Sequence, residues 1–192
     1  MNTPSFWGLE VDTQENWAYA DNVFTKEECA KIIKIGNDKL QPAKVFGNNQ
    51  DIRESQIAWL YPNDNMEWVF RKITDHVTSL NNQFFNFDLA GFGEGFQFTK
   101  YVSPTGHYGK HIDKIIKGHI RKLSLTIQLS DNSEYEGGEL ILHLGDKGES
   151  KEHMKEQGKL IAFPSYVLHE VKPVTKGTRY SLVAWITGKP FK

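Results

Sequence analysis

Cysteine is almost absent: Cys29 stands alone among 192 residues. One thiol cannot close an internal disulfide, so nothing points to an oxidising compartment. Long apolar runs are missing as well. No stretch of about 18 apolar residues occurs, which excludes a membrane-spanning helix. The opening MNTPSFWGLEV has neither the basic start nor the apolar run of a signal peptide. The expected address is therefore the cytoplasm, with no membrane partner. Net charge is nearly absent too, at −1, with a pI near 6.7. That balance argues against a broad nucleic-acid footprint. Internal repeats and low-complexity tracts are lacking. What remains, 39% hydrophobic and 24% charged, fits a globular chain long enough for a real core. We read 1–192 as one domain, with a helix-and-strand support over 1–92 and a strand-rich core over 93–187.

Two helices are expected in the support. TKEECAKIIKIG opens with a capping box, Thr25 with Glu28, ahead of a stripe at Cys29, Ile32, Ile33 and Gly36. DNMEWVFRKITDHVTSL begins on Asp64 and spaces Trp68, Val69, Ile73, Val77 and Leu80 helically. IAWLY between them is a strand bounded by Pro62. From residue 93 the pattern turns to short strands: FQFTKYV, RKLSLTIQLS, GELILHL, KLIAFPS, VLHEVKPV and TRYSLVAWI. In LSLTIQL the alternation is strict, with Leu123, Leu125, Ile127 and Leu129 on one face and Ser124, Thr126 and Gln128 on the other. The expected fold is mainly β, a sandwich or jelly roll buttressed by two or three helices on one sheet. The charged stretch 145–158 reads as a solvated loop or short helix.

HYGKHIDK, 107–114, carries His111-x-Asp113. A bare pair of this kind is weak, since about one chain in three of this composition would hold one by chance. On a strand, however, positions i and i+2 share a face. His169, on a second strand, can complete a set of two imidazoles and a carboxylate. That set suits non-haem Fe(II) and leaves positions open for other ligands. Arg179 and Ser181 share a face of the last strand. A guanidinium fork matches a carboxylate, and a buried arginine without an acidic partner nearby calls for an anion. A dicarboxylate chelating the metal at one end meets Arg179 at the other. His107, His119, His143 and His153 have no such support and read as structural or surface residues.

Taken together, His111-x-Asp113, His169 and Arg179-x-Ser181 resemble the Fe(II)- and 2-oxoglutarate-dependent dioxygenases, and within them the prolyl 4-hydroxylases. The likeness runs over roughly 45–187 and is nearest to the oxygen-sensing and bacterial types. It implies a double-stranded β-helix, a cupin-like jelly roll. It implies that His111, Asp113 and His169 bind the metal, with His111, Asp113, His169 and Arg179 as catalytic residues. Tyr101, Gln128, Leu140, Arg179, Ser181, Val183 and Trp185 would surround 2-oxoglutarate, and Gly137-Gly138 would open the strand leading to Leu140. Gln128 stands where the oxygen-sensing enzymes have a tyrosine, and its amide can still donate. DIRESQIAWL resembles the strand pair flanking the substrate-covering loop, with Asp51, Arg53, Ser55 and Trp59 at matching positions. Arg53, Trp59 and Tyr108 would then bind a proline-containing peptide or protein. The implied activity is peptidyl-proline 4-hydroxylation with Fe(II), 2-oxoglutarate and O2, ascorbate as reductant, and succinate and CO2 released. The expected enzyme is a monomer.

Other readings stay open at this point. The same chemistry can act on a lysyl residue, a free amino acid or a nucleobase. A zinc-dependent or a non-catalytic cupin-like protein would use the same scaffold. Trp59 and Arg53 also read simply as a core aromatic and a surface cation. Lys110, Lys114, Lys117, Arg121 and Lys122 form a basic segment, read either as a solvated run or as a site mouth that attracts an acidic or polar peptide.

Overall fold

The computed structural model describes residues 14–43, 52–113, 120–145 and 152–190. In chain order the elements are β1 (Ala18–Ala20), α1 (Lys26–Asn37), β2 (Gln41–Pro42), β3 (Arg53–Glu54), β4 (Gln56–Leu60), α2 (Glu67–Leu80), β5 (Leu89–Phe92), β6 (Phe96–Val102) and β7 (His107–His111). Then follow β8 (Arg121–Gln128), β9 (Tyr135–Gly137), β10 (Leu140–Leu142), β11 (Leu160–Pro164), β12 (His169–Val171) and β13 (Val174–Gly188). Among the described residues no helix is long and apolar enough to cross a membrane.

The capping box starts α1. Thr25 Oγ1 accepts from the Glu28 amide at 3.3 Å, and Glu28 Oε2 accepts from the Thr25 amide at 2.8 Å. Cys29, Ile32 and Gly36 form the buried stripe. A Cβ on Gly36 would stand 2.4 Å from the Phe98 ring, so the glycine lets helix and sheet approach closely there. α2 starts three residues later than its sequence pattern predicts. Asp64 instead closes the preceding turn, Pro62–Met66, by accepting from the Tyr61 amide at 2.8 Å.

β8 separates the layers. Leu123, Leu125, Ile127 and Leu129 pack with Phe96 and Phe98 of β6, Leu182 and Ala184 of β13, and the buried stripes of both helices. This outer cluster holds the helices on one face of a large sheet with the order β1-β11-β8-β13-β6-β4-β2, to which β5 and β9 add through β13. A smaller sheet, β10-β12-β7-β3, covers the opposite face. Between the sheets lie Tyr101, Tyr135, Leu140, Leu142, Ile161, Phe163, Val171 and Val174. This is the double-stranded β-helix expected from the sequence, with two helices against the larger sheet. Ser124, Thr126 and Gln128 face the inter-sheet space, and all three are buried. A polar face inside a covered sandwich is costly unless something polar meets it.

Several segments differ from the sequence reading. VLHEVKPV is not one strand: β12 ends at Val171 in the small sheet and β13 begins at Val174 in the large one. DIRESQIAWL also changes sheets, since β3 pairs with β7 and β4 pairs with β6. Of the two readings of the charged connection 145–158, its described C-terminal part takes the short helix. Glu152–Lys155 forms a helical turn, and Met154 is buried in the inter-sheet cluster. Asp51, Lys114, Lys117 and His119 lie outside the described residues.

Candidate active site

β7 and β12 run antiparallel with His111 directly opposite His169. Their rings meet at 4.1 Å between centroids, tilted by 53°. Each Nδ1–H donates to a carbonyl two residues earlier, His111 to Gly109 at 2.8 Å and His169 to Val167 at 2.9 Å. A ring donating through Nδ1 keeps its lone pair on Nε2. Tyr108 stacks on His111 at 3.5 Å and Phe163 meets His169 edge-on at 4.7 Å, which fixes both ring planes. Burial, and then the neighbouring His169, push the His111 pKa down to about 4. The imidazole is therefore neutral, as a ligand must be, at ordinary pH.

Asp113 arrives differently from the expectation. β7 ends at His111, so strand alternation does not place the carboxylate. The Asp113 amide donates to Ser165 O at 3.1 Å, and its Oδ2 accepts from the Ser124 hydroxyl at 2.6 Å. Ser124 Oγ lies 2.9 Å from Ser165 Oγ. Asp113 Oδ2 then stands 3.7 Å from His169 Nε2. One ligand atom from each of His111, Asp113 and His169 lies within 4.8 Å of the others. Two neutral imidazoles and one carboxylate are the donor set of a non-haem Fe(II) site, so the residues present fit that ion.

Ser124 was invisible as a site residue in the sequence, although the polar face of β8 carried the signal. Its hydroxyl orients the carboxylate, as supporting hydrogen bonds commonly do for ligating groups. Ser124→Ala is expected to weaken divalent-metal binding roughly tenfold to a hundredfold. Titration with Mn(II) checks this, and an affinity within about twofold of the wild type would refute it.

Arg121 was also missed. The basic segment does not form a uniform solvated run. A register shift between β8 and β13 makes Arg121 face Thr187 while Leu123 faces Ile186, so Lys122 is the extra residue of a bulge. The bulge turns Arg121 inward. Its guanidinium lies 3.8 Å over Trp185, donates to Glu94 at 2.8 and 2.7 Å, and stands 3.9 Å from Asp113. Lys122 is buried toward Phe87, with its Nζ 5.8 Å over the ring. Lys110 alone of the described lysines in this segment is exposed.

Further along the inner face, Arg179 is 1% exposed. It lies opposite Tyr101 on β6, 5.5 Å from the centre of that ring. Its Nη2 donates to Gln128 Oε1 at 2.9 Å. Among the described residues no carboxylate forms an ion pair with it. Gly138, with φ of +65°, makes room, because a Cβ there would stand 2.9 Å from Arg179 Cδ. Ser181 pairs with both Thr99 and Gln128, and Val183 with Gln97 and Thr126. Trp185 is buried beside Arg121, and Leu140 belongs to the facing cluster. Four buried atoms here have no hydrogen-bond partner: Arg179 Nη1, Gln128 Nε2, Trp185 Nε1 and Tyr135 Oη. All four can donate. An anion with several oxygen lone pairs complements such a wall, so 2-oxoglutarate fits the chemistry present.

Two of the residues expected to bind substrate, Arg53 and Tyr108, adjoin His111. Arg53 lies 4.5 Å over Tyr108, which itself stacks on His111. Arg53 donates to Ser55 Oγ at 2.7 Å and Gln97 Oε1 at 2.9 Å. Trp59 is half-buried, 6.0 Å from Trp185.

Comparison with known proteins agrees with this geometry. The family model described as the 2OG-Fe(II) oxygenase superfamily matches residues 96–187. A PKHD-type hydroxylase of Aliarcobacter butzleri is 30% identical over 174 residues, covering 85% of this chain and 75% of that protein. The chain belongs to the 2OG-Fe(II) oxygenase superfamily. It is thus an enzyme of the 2-oxoglutarate-dependent dioxygenase class, whose members use Fe(II), 2-oxoglutarate and O2. Two solved structures share the fold. A Pseudomonas putida prolyl-4-hydroxylase is 24% identical with a TM-score of 0.70, covering 91% of this chain and 94% of that one. A Trichoplax adhaerens prolyl hydroxylase, solved with a hypoxia inducible factor oxygen degradation domain peptide fragment, is 18% identical with a TM-score of 0.71, covering 90% of this chain and 84% of that one. The oxygenase match begins at Phe96, where β6 begins, and runs into β13.

Proposed function

We propose that this oxygenase hydroxylates a prolyl residue of a peptide or protein at C4, releasing succinate and CO2. The observation that carries the reading is the pairing of two features across the inter-sheet space: a His111–Asp113–His169 cluster whose imidazoles come from the small sheet, and a buried wall of unpaired donors around Arg179 on the large one. Bound between them, Fe(II), 2-oxoglutarate and O2 supply the oxidising chemistry that places one oxygen atom on the substrate. The protein does the rest. His111 and His169 present Nε2 to the ion, and Asp113 balances its charge while Ser124 fixes the carboxylate. Arg179, with Gln128 and Ser181 beside it, receives the far carboxylate of the keto acid. Leu140, Val183 and Trp185 keep that space dry. Tyr101 forms its floor beneath the guanidinium. Ascorbate would serve as the external reductant.

A peptide is favoured over a free amino acid by the rim. Arg53 and Tyr108 stand half-buried next to His111, and Trp59 stands half-buried next to Trp185, so each leaves part of its side chain open to a substrate. Such a surface suits an extended chain. The peptide-bound Trichoplax prolyl hydroxylase, which shares the fold, lends the same reading support.

The test is direct. The protein is incubated with Fe(II), ascorbate, 2-oxoglutarate and a panel of proline-containing peptides, with lysyl peptides, free amino acids and methylated nucleobases alongside. Succinate in equal amount to a one-oxygen mass gain on a prolyl peptide is the expected result. A mass gain only on another class would reject proline as the substrate. Zinc retained through purification, with no succinate under any condition, would reject the oxygenase mechanism.

A further inference from the structure

Arg179 and Gln128 do not account for all of the buried donors. We infer that the Tyr135 phenol is a third group binding the far carboxylate of 2-oxoglutarate, supplied by β9. The inference rests on the cosubstrate site proposed above.

Tyr135 is 3% exposed, and its hydroxyl has no partner. A buried hydroxyl left unpaired is destabilising, so it calls for a ligand or an ordered water. Its position selects the ligand. β9 pairs with β13 so that Tyr135 faces Gly177, two residues before Arg179. A Cβ on Gly138 would meet Arg179 Cδ at 2.9 Å and Tyr135 Cε2 at 3.4 Å. Cε2 is the ring carbon next but one to the hydroxyl oxygen. The phenol edge and the arginine stem therefore border the same small space, which the missing Gly138 side chain leaves open. Lys155 holds the ring in place, with its Nζ 4.6 Å over the ring and donating to Gly137 O at 2.9 Å.

The donor arithmetic also points this way. Gln128 Oε1 is occupied by Arg179 Nη2, which leaves only its Nε2 to donate outward. A carboxylate has about four lone-pair sites. Arg179 Nη1, Gln128 Nε2 and Tyr135 Oη satisfy three of them without any rearrangement of the existing hydrogen bond. The phenol also shapes selectivity, because its donor is useful only to a keto acid that carries a second carboxylate.

The experiment compares wild type and Tyr135→Phe, loaded with Mn(II) and kept free of oxygen so that nothing turns over. Calorimetric titration gives the Kd of 2-oxoglutarate and of 2-oxopentanoate, which has a methyl where the far carboxylate stands. Tyr135→Phe keeps the ring, and its Mn(II) affinity reports an intact site. The expected result is a roughly tenfold to hundredfold rise in the Kd for 2-oxoglutarate, with 2-oxopentanoate unchanged. An equal loss for both keto acids would assign Tyr135 a structural role and overturn the inference. So would a 2-oxoglutarate Kd within about twofold of wild type. Wild-type protein with no affinity for 2-oxoglutarate would overturn the cosubstrate site itself, and this inference with it.

Discussion

His169→Ala is expected to abolish divalent-metal binding and, with it, all turnover. The site offers three protein ligands, and two of them depend on each other's position. His169 is buried, its ring meets Phe163 edge-on and faces His111, and its Nε2 stands 3.7 Å from the Asp113 carboxylate. Removing one supporting hydrogen bond from a metal ligand costs ten- to a hundredfold in affinity, so removing the ligand itself is expected to cost more than about a hundredfold. Thermal unfolding gives a readout independent of turnover. A metal present at a hundred times its Kd stabilises the native state by about 2.7 kcal/mol. Wild type is expected to show that gain on adding Mn(II) and to lose it with a chelator, whereas His169→Ala shows neither change. A metal-dependent rise in Tm in the variant would remove His169 from the ligand set.

The candidate metal ligands were legible in sequence because His111-x-Asp113, weak alone, stands with His169 and Arg179-x-Ser181 in a combination that is specific. The supporting residues were not, and the reasons are geometric. Period-2 alternation correctly placed Ser124, Thr126 and Gln128 on one face of β8. It fails at Lys122, where a bulge reverses the parity and turns Arg121 onto Trp185. The partner that neutralises Arg121 is Glu94, 27 residues earlier, and no local pattern links them. Asp113 shares a side with His111, but only because Ser124 and Ser165 hold it beyond the end of β7. Tyr135 lies between the expected strands RKLSLTIQLS and GELILHL, and becomes a candidate only when the folded chain lays β9 along β13. Local periodicity finds layers and faces. The hydrogen-bond partners of a site come from strands distant in sequence, and their register depends on bulges that one chain alone does not announce.

Arg179→Met is expected to leave the fold intact and equally or more stable, while 2-oxoglutarate binding collapses. Arg179 is 1% exposed, donates through Nη2 to Gln128 and leaves Nη1 unpaired. Taking an ion out of water costs several kcal/mol, and a nearby aromatic ring and one neutral amide offset only part of it. In the ligand-free protein this cation is therefore a liability rather than a source of stability. Methionine approximates the length of the arginine stem and its packing against Tyr101, without the charge. It leaves Gln128 Oε1 without its donor, a cost of about 1–3 kcal/mol that works against the gain. The two effects set the expectation for stability near or above wild type, read from the urea midpoint of ligand-free protein. The effect on binding is not balanced in this way. Truncating one member of a buried, hydrogen-bonded charge pair costs about 2–5 kcal/mol, which corresponds to roughly thirtyfold to several thousandfold in Kd. Calorimetry with 2-oxoglutarate on the Mn(II)-loaded variant measures that loss. A variant that unfolds at clearly lower urea yet keeps wild-type affinity would mean that Arg179 serves the fold and that the far carboxylate lies elsewhere. The opposite pairing, stability kept and affinity lost, is what a residue retained for its ligand predicts.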